Sequence, residues 1–337
     1  MNILVIKQSS LGDVLHSTAA LRAIKAEHPN SHLTVLTNQA SSGILENNPD
    51  IDELVLFDYA LVKKQSLLGI GAVVKEFNRV KKRLNSRHYD LAFDLQGLLR
   101  SVLFLYAATA SKKYVKGRWL GLQGFRNKTL HAIDEMAAVL NLAGIVMESK
   151  KMRLMSTAEE SDNAAQVLGT VSFVSIAGSL PLIVISPFTR WYSKNWPLAS
   201  FIALADQLSQ NGECEVVITG TAEDKATINA EMAKLAAPWF VNLAGTLSLG
   251  ELAALMTKAD LVISGDSFPM HLASAVDTPL VALFGPTDES KTGPLGEATK
   301  VIRPEGCDKC DRPNCPRACL GRVSVERVLE EVNGFLG

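Results

Sequence analysis

The sequence predicts an α/β protein made of two doubly wound halves, and two observations support this prediction. Apolar strand patterns alternate with amphipathic helix patterns along nearly the whole chain, which is typical of parallel sheets covered by helices. In addition, a strand enters a glycine-containing turn and then a helix at residues 7–13 and again at 264–271. The first N–H groups of such helices are free to bind phosphate. We therefore expect two α/β halves that face each other across a central cleft.

Length and composition fit a globular protein of two domains. The chain has 337 residues, more than one ordinary core accommodates, with 47% hydrophobic and 20% charged residues. Its net charge of −1 argues against general nucleic-acid binding, which needs a basic surface. No apolar run is long enough to span a bilayer, and the beginning of the sequence lacks the pattern of a signal peptide. We expect a cytoplasmic protein whose membrane contact, if it has one, is peripheral.

The first half is predicted to be a Rossmann-like domain over residues 1–150. Its helix over 13–27 places Val14, Leu21 and Ile24 on one face, as expected for a helix packed on a sheet. The other predicted elements are strands at 1–6, 33–36, 53–57 and 91–94, helices at 44–45, 75–84, 98–108 and 130–142, and a basic segment broken by glycine at 111–128.

The second half repeats the alternation over residues 151–323, after a charged linker predicted at 147–156. Ser324 is predicted to cap a C-terminal helix over 324–337, with an apolar face formed by Val325, Val328, Leu329 and Val332. The other predicted elements are strands at 182–185, 215–219, 241–243, 261–263 and 280–284, and helices at 198–208, from about 225 to 235, at 249–257 and from 266 to 275.

Asp13 is the first candidate for chemistry, because it follows Gly12 at the start of the first helix. One interpretation is a helix cap, and the other is a general base close to Ser10 and His16. A carboxylate at a helix N-terminus is kept ionised by the dipole, which suits it to accept a proton but limits its basicity. Glycine before it would let a substrate approach the backbone closely.

Lys194 is the second candidate, in the loop 186–197 that follows the first strand of the second half. Ligands of open α/β sheets bind beyond the carboxyl ends of the strands. Thr189 supplies a short hydrogen-bond donor, and the lysine supplies a point charge suited to phosphate. A solvated loop lysine is the alternative, and the flanking Trp and Pro residues favour the functional interpretation slightly.

Asp266 and Ser267 lie at the second phosphate-type turn, where either can cap the following helix. A carboxylate there is better suited to accept hydrogen bonds from sugar hydroxyls, while the N–H groups after it hold a diphosphate. His271 is equally consistent with a phosphate donor and with a core histidine. Glu223, which follows Gly220 at a strand end, is a weaker candidate for contact with a ribose.

Four of the five cysteines lie close together near the end of the chain. Their C-x2-C-x4-C-x3-C spacing at Cys307, Cys310, Cys315 and Cys319 is compatible with a zinc ion or an iron–sulfur cluster. Free thiols and disulfides are the alternatives, although a reducing cytoplasm disfavours the latter. Cys214 precedes a strand and is expected in a core.

Five segments, taken in order, resemble glycosyltransferase family nine, the ADP-heptose:lipopolysaccharide heptosyltransferases. They are residues 6–16, 94–101, 189–197, 265–271 and 285–288. The resemblance implies a GT-B fold and inverting transfer of heptose from ADP-heptose to the lipopolysaccharide core, with no divalent metal or other cofactor required. The cysteine segment followed by a Val-rich helix resembles the heptosyltransferase II-like branch.

The resemblance also implies roles for individual residues. Asp13 is similar in position to the general base, and Lys194 with Thr189 to the residues that hold the donor diphosphate. Asp266 and the backbone that follows it, with His271 nearby, correspond to contacts with the donor sugar and phosphate. The acceptor side would be lined by Ser10, Gly12, Gln96 and Arg100.

Two departures from the family pattern bear on the substrates. Phe268 stands where many members have glycine, so backbone access to phosphate is expected to differ there. Asp134 and Glu135 stand where members acting on an acidic core sugar tend to carry arginine, which favours heptose or another core sugar as acceptor. The alternatives are a UDP- or TDP-sugar donor, a sugar-nucleotide epimerase and a non-catalytic sugar-nucleotide-binding module.

Overall fold

The computed structural model describes residues 1–58, 70–171, 180–210 and 214–336. The chain divides into two compact units, Met1–Met155 and Ser156–Gly337. Each unit contains a six-stranded parallel sheet with helices between most consecutive strands, in agreement with the predicted α/β alternation.

The first unit has the strand order β3-β2-β1-β4-β5-β6. Its strands are β1 (Asn2–Ile6), β2 (His32–Asn38), β3 (Glu53–Phe57), β4 (Tyr89–Asp94), β5 (Ala110–Lys116) and β6 (Gln123–Phe125). Its helices are α1 (Leu11–Glu27), a 3₁₀ turn (Gln39–Ile44), α2 (Ile70–Leu84), α3 (Leu99–Ala107) and α4 (Ala132–Asn141).

β1 lies in the middle of this sheet and is buried on both faces. Val5 pairs with Val35 of β2 on one side and with Phe93 of β4 on the other, and all three side chains are fully buried. A strand covered by helices on both faces reads as a continuous apolar run, which is why this strand was recognisable in the sequence.

The second unit has the strand order β12-β11-β10-β7-β8-β9. Its strands are β7 (Leu182–Ser186), β8 (Glu215–Ile218), β9 (Val241–Asn242), β10 (Leu261–Gly265), β11 (Leu280–Leu283) and β12 (Thr299–Ile302). Its helices are α5 (Ala158–Val171), a 3₁₀ turn (Tyr192–Lys194), α6 (Leu198–Ser209), α7 (Lys225–Met232), α8 (Leu249–Lys258), α9 (Phe268–Ala275), α10 (Glu289–Thr292), a second 3₁₀ turn (Cys319–Arg322) and α11 (Val325–Leu336).

The C-terminal helix α11 is part of the second unit's core. Val328 and Val332 are fully buried in the same apolar cluster as Phe201 of α6. At its start, the Ser324 hydroxyl accepts the Arg327 N–H at 3.2 Å, which is the predicted cap.

In both parallel sheets, the order of the strands reverses beside the first strand of the unit. In the first unit the order runs outward from β1 to β2 and β3, and from β4 to β6 on the other side. The second unit does the same around β7 and β10. In doubly wound sheets, ligands bind at this switch point, beyond the carboxyl ends of the strands.

Several segments differ from the sequence expectation. The basic segment 111–128, for which no strand was predicted, contains most of β5 and all of β6. β12 and α5 were also not predicted. The charged stretch 147–156, expected as a linker, spans the boundary between the two units. Within it, Met152 and Leu154 are buried, and the Arg153 N–H donates to Thr18 Oγ1 of the first unit at 2.8 Å. None of the helices in the described part of the chain is long and apolar enough to cross a membrane.

Candidate active site

Asp13 lies in the first turn of α1, beyond the carboxyl end of β1. One of its carboxylate oxygens, Oδ2, accepts the Ser10 backbone N–H at 3.1 Å and the Ser10 hydroxyl at 2.9 Å. Ser10 is the N-cap residue of the helix and Asp13 is the third helical residue, so the two form a capping box. Its side chain remains 36% exposed, so the carboxylate both supports the helix start and can be reached from solvent.

The charge state of Asp13 is set by buried neighbours. Burial favours a higher pKa for this carboxyl, but the Lys7 ammonium, the His16 ring and the Ser10 hydrogen bonds outweigh it and hold the pKa well below its usual value. The Lys7 Nζ lies 3.8 Å from Asp13 Oδ1 on a side chain that is almost fully buried. Burial lowers the pKa of Lys7 and the neighbouring Asp13 opposes that shift. Asp13 is therefore a carboxylate at neutral pH.

Lys7 was missed as a functional candidate in the sequence. The available signal was its position directly after the apolar strand β1 and before the glycine-containing turn. A lysine at such a strand end points to the switch point of the sheet, and a lysine this deeply buried is rare unless it is paired.

The predicted acceptor residues Gln96 and Arg100 come from the loop and helix after β4, the neighbour of β1. The Gln96 side-chain carbonyl accepts the backbone N–H groups of Gln8 at 3.3 Å and Ser9 at 3.0 Å. Arg100 donates to the Ser9 hydroxyl. Both residues thus fix the loop that carries Ser10, Gly12 and Asp13, and Gly12 itself is buried.

Asp94 stabilises the turn that carries Gln96 by accepting backbone hydrogen bonds. It is completely buried, and its Oδ1 accepts the N–H groups of Gln96 at 2.8 Å and Gly97 at 3.0 Å. Burial raises the pKa of Asp94 to about 6, although these hydrogen bonds oppose the shift. The turn behind the Asp13 loop therefore contains a carboxyl group that titrates near neutral pH.

The two acidic residues that depart from the family pattern are paired within the first unit. Glu135 forms an ion pair with Lys116 at 2.6 Å and accepts the Asn127 N–H at 3.2 Å. Asp134 pairs with Lys150 at 2.6 Å. Because each carboxylate has a cationic partner, neither presents an uncompensated negative charge to an acceptor.

Lys194 belongs to the 3₁₀ turn after β7, next to the end of β10. Its Nζ lies 2.6 Å from Asp266 Oδ2, and the Thr287 hydroxyl donates to the same oxygen at 2.5 Å. Asp266 is buried and Lys194 nearly so. The ammonium also lies 4.5 Å from the centre of the Trp191 ring. Lys194 is therefore held in one orientation by a carboxylate and an aromatic face.

Thr189 shapes the Lys194 loop. Its hydroxyl donates to the Trp191 carbonyl at 2.9 Å, and its N–H donates to Asn195 Oδ1 at 2.9 Å. A Cβ atom on Gly265 would lie 2.7 Å from the Thr189 methyl group, so the loop packs directly on the end of β10. The geometry gives Thr189 a positioning role in addition to the predicted diphosphate contact.

The start of α9 carries the other predicted donor residues. Ser267 is the cap, and Phe268 and Pro269 are the first two helical residues. Because proline has no N–H, this turn offers fewer donors to an anion than a standard helix start. His271 is buried within the helix.

Glu223 is exposed in the turn after β8. The carboxyl ends of β8, β7, β10 and β11 lie side by side in that order, so this turn belongs to the same edge of the second sheet as the Lys194 loop. The structure therefore gathers the predicted donor residues along one edge, with Glu223 two strands away from Asp266.

The cysteine segment 307–319 packs behind the Lys194 loop. The Ser193 hydroxyl donates to the carbonyls of Arg312 at 2.7 Å and Pro313 at 2.9 Å. None of the five cysteines forms a disulfide, and Cys214 is half-buried against the core of the second unit.

The four thiols of that segment interact in two pairs. Hydrogen bonding to Cys310 contributes to a lowered pKa at Cys315, behind the larger effect of the Arg317 N–H. Burial raises the pKa of Cys319, and its contact with Cys307 acts in the same direction. Within the described ranges, no three His, Cys, Asp or Glu side chains are gathered as metal ligands. The metal site stays a prediction.

Each unit thus places complementary chemistry at its own switch point. The first offers an ionised, reachable carboxylate beside a buried lysine, and the second offers a fixed ammonium beside a helix start. A carboxylate can take a proton from a hydroxyl, and an ammonium can stabilise a phosphate leaving group.

Comparison with known proteins extends the likeness over the whole chain. Residues 77–320 match glycosyltransferase family 9 (heptosyltransferase). The chain is 28% identical to the lipopolysaccharide heptosyltransferase 2 of Salmonella typhimurium, over 100% of this chain and 99% of the relative.

Two solved structures superpose over nearly the full length. The E. coli ADP-heptose LPS heptosyltransferase II gives a TM-score of 0.79 at 25% identity, covering 100% of this chain and 98% of the other. A glycosyl transferase family 9 structure from Veillonella parvula gives a TM-score of 0.85 at 23% identity, covering 99% and 97%. The predicted fold class, GT-B with two Rossmann-like domains, is confirmed.

Proposed function

Because this chain belongs to glycosyltransferase family 9, the heptosyltransferases, we propose that it transfers heptose from ADP-heptose to the inner core of lipopolysaccharide or lipooligosaccharide. The chain is a glycosyltransferase, and its relatives over the full length carry the name lipopolysaccharide heptosyltransferase 2. The solved E. coli relative is an ADP-heptose heptosyltransferase. These likenesses support both the donor and the class of acceptor.

Asp13 is the proposed general base. It accepts the proton of the acceptor hydroxyl as that oxygen attacks the anomeric carbon from the face opposite the leaving group, which inverts the configuration. Its 36% exposure makes the carboxylate reachable, and the nearby Lys7 ammonium keeps it ionised. A carboxylate with a lowered pKa is a weak base. It acts efficiently only when the hydroxyl has become acidic through bond formation to an oxocarbenium-like carbon.

Lys194 is the proposed stabiliser of the departing ADP. Negative charge develops on the diphosphate as the glycosidic bond breaks, and a preoriented cation lowers the energy of that transition state. The ion pair with Asp266 and the contact with Trp191 hold the ammonium in place before substrate arrives. With Pro269 reducing the N–H donors at the start of α9, the lysine carries a larger share of this stabilisation.

The observation that carries the proposal is the position of both groups. Asp13 lies at the switch point of the first sheet and Lys194 at that of the second. Donor phosphates need a positive charge, and an acceptor hydroxyl needs a proton acceptor. The second unit supplies the Lys194 ammonium, and the first unit supplies the Asp13 carboxylate. We propose that both half-sites act in the same reaction.

The acceptor and location follow from the same proposal. Asp134 and Glu135 stand where family members that act on an acidic core sugar tend to carry arginine, and each is paired with a lysine. Their presence supports heptose or another core sugar as acceptor. With a nucleotide-sugar donor and a lipid-linked acceptor, we propose a cytoplasmic reaction at the inner membrane surface, with peripheral membrane contact and no nucleic-acid partner.

Turnover with defined substrates tests the proposal. Purified protein is titrated with ADP-heptose, UDP-sugars and TDP-sugars by calorimetry, then assayed on lipopolysaccharide truncated at successive core sugars, with the product analysed by mass spectrometry and its anomeric configuration by NMR. We expect ADP release and gain of one heptose with inversion. Preference for a UDP- or TDP-sugar identifies the alternative donor, and binding without any transfer indicates a sugar-nucleotide-binding module.

The transfer itself is proposed to need no cofactor, and a structural zinc ion or iron–sulfur cluster at the cysteines is a separate proposal. The spacing of Cys307, Cys310, Cys315 and Cys319 supports it. The described side chains do not gather three or more of these thiols as metal ligands, so the segment would have to close around the metal. Zinc and iron content of anaerobically purified protein tests this, and absence of both metals would remove the proposal.

A further inference from the structure

One face of α3 is apolar and exposed. Leu99, Leu103 and Tyr106 follow one another at spacings of four and three residues, so they share one side of the helix, and they are 62%, 46% and 44% exposed. Leu98 precedes them, and Leu120, which is 93% exposed, joins them because the Tyr106 hydroxyl donates to its carbonyl at 2.5 Å. We call these five residues the leucine face. Grouped exposed apolar residues mark an interaction surface.

The surroundings of the leucine face carry only positive charge in sequence. Residues 95–133 include no Asp or Glu, although the whole chain has a net charge of −1. The ammonium of Lys113 lies 3.1 Å from the Tyr106 carbonyl, directly beside the face. The other basic residues of this stretch are Arg100, Lys112, Lys116, Arg118, Arg126 and Lys128.

We propose that the leucine face docks on an anionic lipid bilayer. The leucine side chains enter the boundary between headgroups and acyl chains, Tyr106 lies at the level of the headgroups, and Lys113 and Arg118 contact anionic headgroups. This inference rests on the proposed function, because a lipid-linked acceptor requires the enzyme to work at a membrane surface. α3 begins directly after the Asp94–Gly97 turn, which supports the Asp13 loop, so docking brings the acceptor side of the first unit to the lipid.

Charge decides between a bilayer and a protein partner. A second copy of this chain would bury the leucines equally well, but its net charge of −1 gives no reason for a flanking stretch free of acidic residues. α2 provides the contrast within the same unit. It is also rich in lysine and arginine, but its basic residues share their surface with Glu76 and Glu53, which pair with Arg79 and Arg83. The leucine face instead groups five exposed apolar residues beside Lys113, whose ammonium donates to the Tyr106 carbonyl.

Vesicle flotation tests the proposal without requiring activity. Full-length protein is mixed with vesicles of phosphatidylethanolamine and phosphatidylglycerol, or of phosphatidylcholine alone, and the floating fraction is measured. We expect binding to the anionic vesicles that weakens with salt. Because transfer is not measured, failure to bind would overturn the docking surface while leaving the proposed transfer reaction untouched.

Paired variants locate the surface. Leu99→Ser/Leu103→Ser should weaken vesicle binding more than tenfold, whereas Leu142→Ser/Val146→Ser, two exposed apolar residues of the same unit, should not. Lys113→Gln/Arg118→Gln should weaken it about 30-fold, from two lost cations near an anionic surface. The matched change Lys81→Gln/Lys82→Gln on α2 should have little effect. Equal losses in variants and controls would overturn the assignment.

A fluorescence measurement keeps the test independent of variant folding. Trp119 precedes Leu120, so its emission should be quenched by vesicles with brominated acyl chains, and Trp119→Phe should remove that quenching. Trp239→Phe, a change at a 54% exposed tryptophan of the second unit, should leave it in place. Quenching that survives Trp119→Phe contradicts the proposal. So does a native mass showing a dimer that Leu103→Ser dissociates, because the face would then bind a second copy.

Discussion

Lys7 and Asp13 form a charge pair in which each residue controls the other. The lysine is buried and the carboxylate is partly exposed, so the pair keeps its charged groups together at the point where β1 ends. Removing the ammonium would leave burial as the main influence on the carboxyl, and burial raises the pKa of an acid. The identity of residue 7 therefore sets the pH range in which residue 13 can accept a proton.

We predict that Lys7→Met moves the acidic limb of the kcat/KM profile to higher pH. The pKa of Asp13 is lowered in the native protein, so activity that depends on its ionised form is retained until the pH falls far below the ordinary range of an aspartate. Without Lys7 this loss should begin at a higher pH. Lys25→Met, which removes the partner of Asp52 in the same unit, is the control. An unchanged acidic limb would show that Lys7 does not set the charge of the base.

The titration of Asp94 makes the free energy of unfolding depend on pH. Its pKa is about 6 in the folded protein against an ordinary 3.8, so the folded state holds this proton more tightly than the unfolded state. Its contribution to the unfolding free energy therefore falls as pH rises from about 4 to about 6, by roughly 3 kcal/mol in total. Asp94→Asn keeps an acceptor for the Gln96 and Gly97 N–H groups and should remove this fall.

Chemical denaturation of both proteins at pH 4.5 and pH 7.5 measures the effect. The variant should gain stability relative to the native protein at the higher pH. An identical pH dependence in the two proteins would contradict the assignment of the raised pKa to Asp94.

The sequence was informative about residues next to turns and uninformative about their partners. Asp13 and Lys194 were recognisable because each follows a strand end and carries suitable chemistry. Lys7 and Thr287 were not assigned to the site, although both lie in recognised motifs. Thr287 reaches Asp266 only because β10 and β11 are neighbours, and Glu135 finds Lys116 only when α4 packs on β5. Such pairings depend on the tertiary fold.

The loops after the strands are held by close backbone contacts at the element scale. Gly97 has a φ of +70°, and a Cβ atom there would lie 2.1 Å from the Lys116 carbonyl oxygen. No side chain fits without moving β5 or the turn that carries Gln96. The position of the Asp13 loop therefore depends on glycine at position 97, which acts on the loop through its neighbour Gln96.

Gly97→Ala should destabilise the first unit by about 2–4 kcal/mol, through a strained φ and a backbone clash. Gly121→Ala is the matched control, because Gly121 has the same φ of +70° but nothing within 4 Å of the added Cβ. It should cost only about 1 kcal/mol. Thermal and denaturant unfolding of both variants measures the difference, and equal losses would refute the clash.

Thr287→Val should weaken ADP binding about fivefold. The change removes one of the two groups that hold Asp266, which in turn orients Lys194, and a hydrogen bond of this kind contributes about 1 kcal/mol. Thr292→Val is the control, since the buried Thr292 hydroxyl has no hydrogen-bond partner in the described part of the chain. Calorimetric titration with ADP measures both, and an unchanged affinity in Thr287→Val would exclude this positioning role.

Elements with a single strong period were predictable, and those with mixed composition were not. β1, β4 and β10 are buried apolar runs, and helices such as α2 and α11 show one apolar face. β5 was hidden because its first half is polar, with Lys112 exposed and Lys113 half-buried, and only Tyr114 and Val115 are buried. β6 was hidden because it is three residues long and contains glycine. β12 lies at a sheet edge with two exposed residues, so its pattern is weak.

At the scale of the whole molecule, one strand order is used twice. Each sheet places its first strand beside its fourth, and each places its functional loops at that junction. The two units differ in the chemistry they carry there, the Asp13 carboxylate in one and the Lys194 ammonium in the other. We therefore expect changes at Lys194 in the second unit to alter donor affinity, and changes at Asp13 in the first unit to alter catalytic rate.

The measurement that tests this division most directly is the kinetics of Asp13→Asn combined with titration by ADP. We expect kcat to fall by a factor on the order of 10² to 10⁴, because the amide cannot accept the acceptor proton, while ADP affinity stays at the native value. The Asn side chain is close in size and still accepts hydrogen bonds from Ser10, so the helix start should be kept. Native turnover in this variant would contradict the assignment of Asp13 as the base, and with it the proposed mechanism.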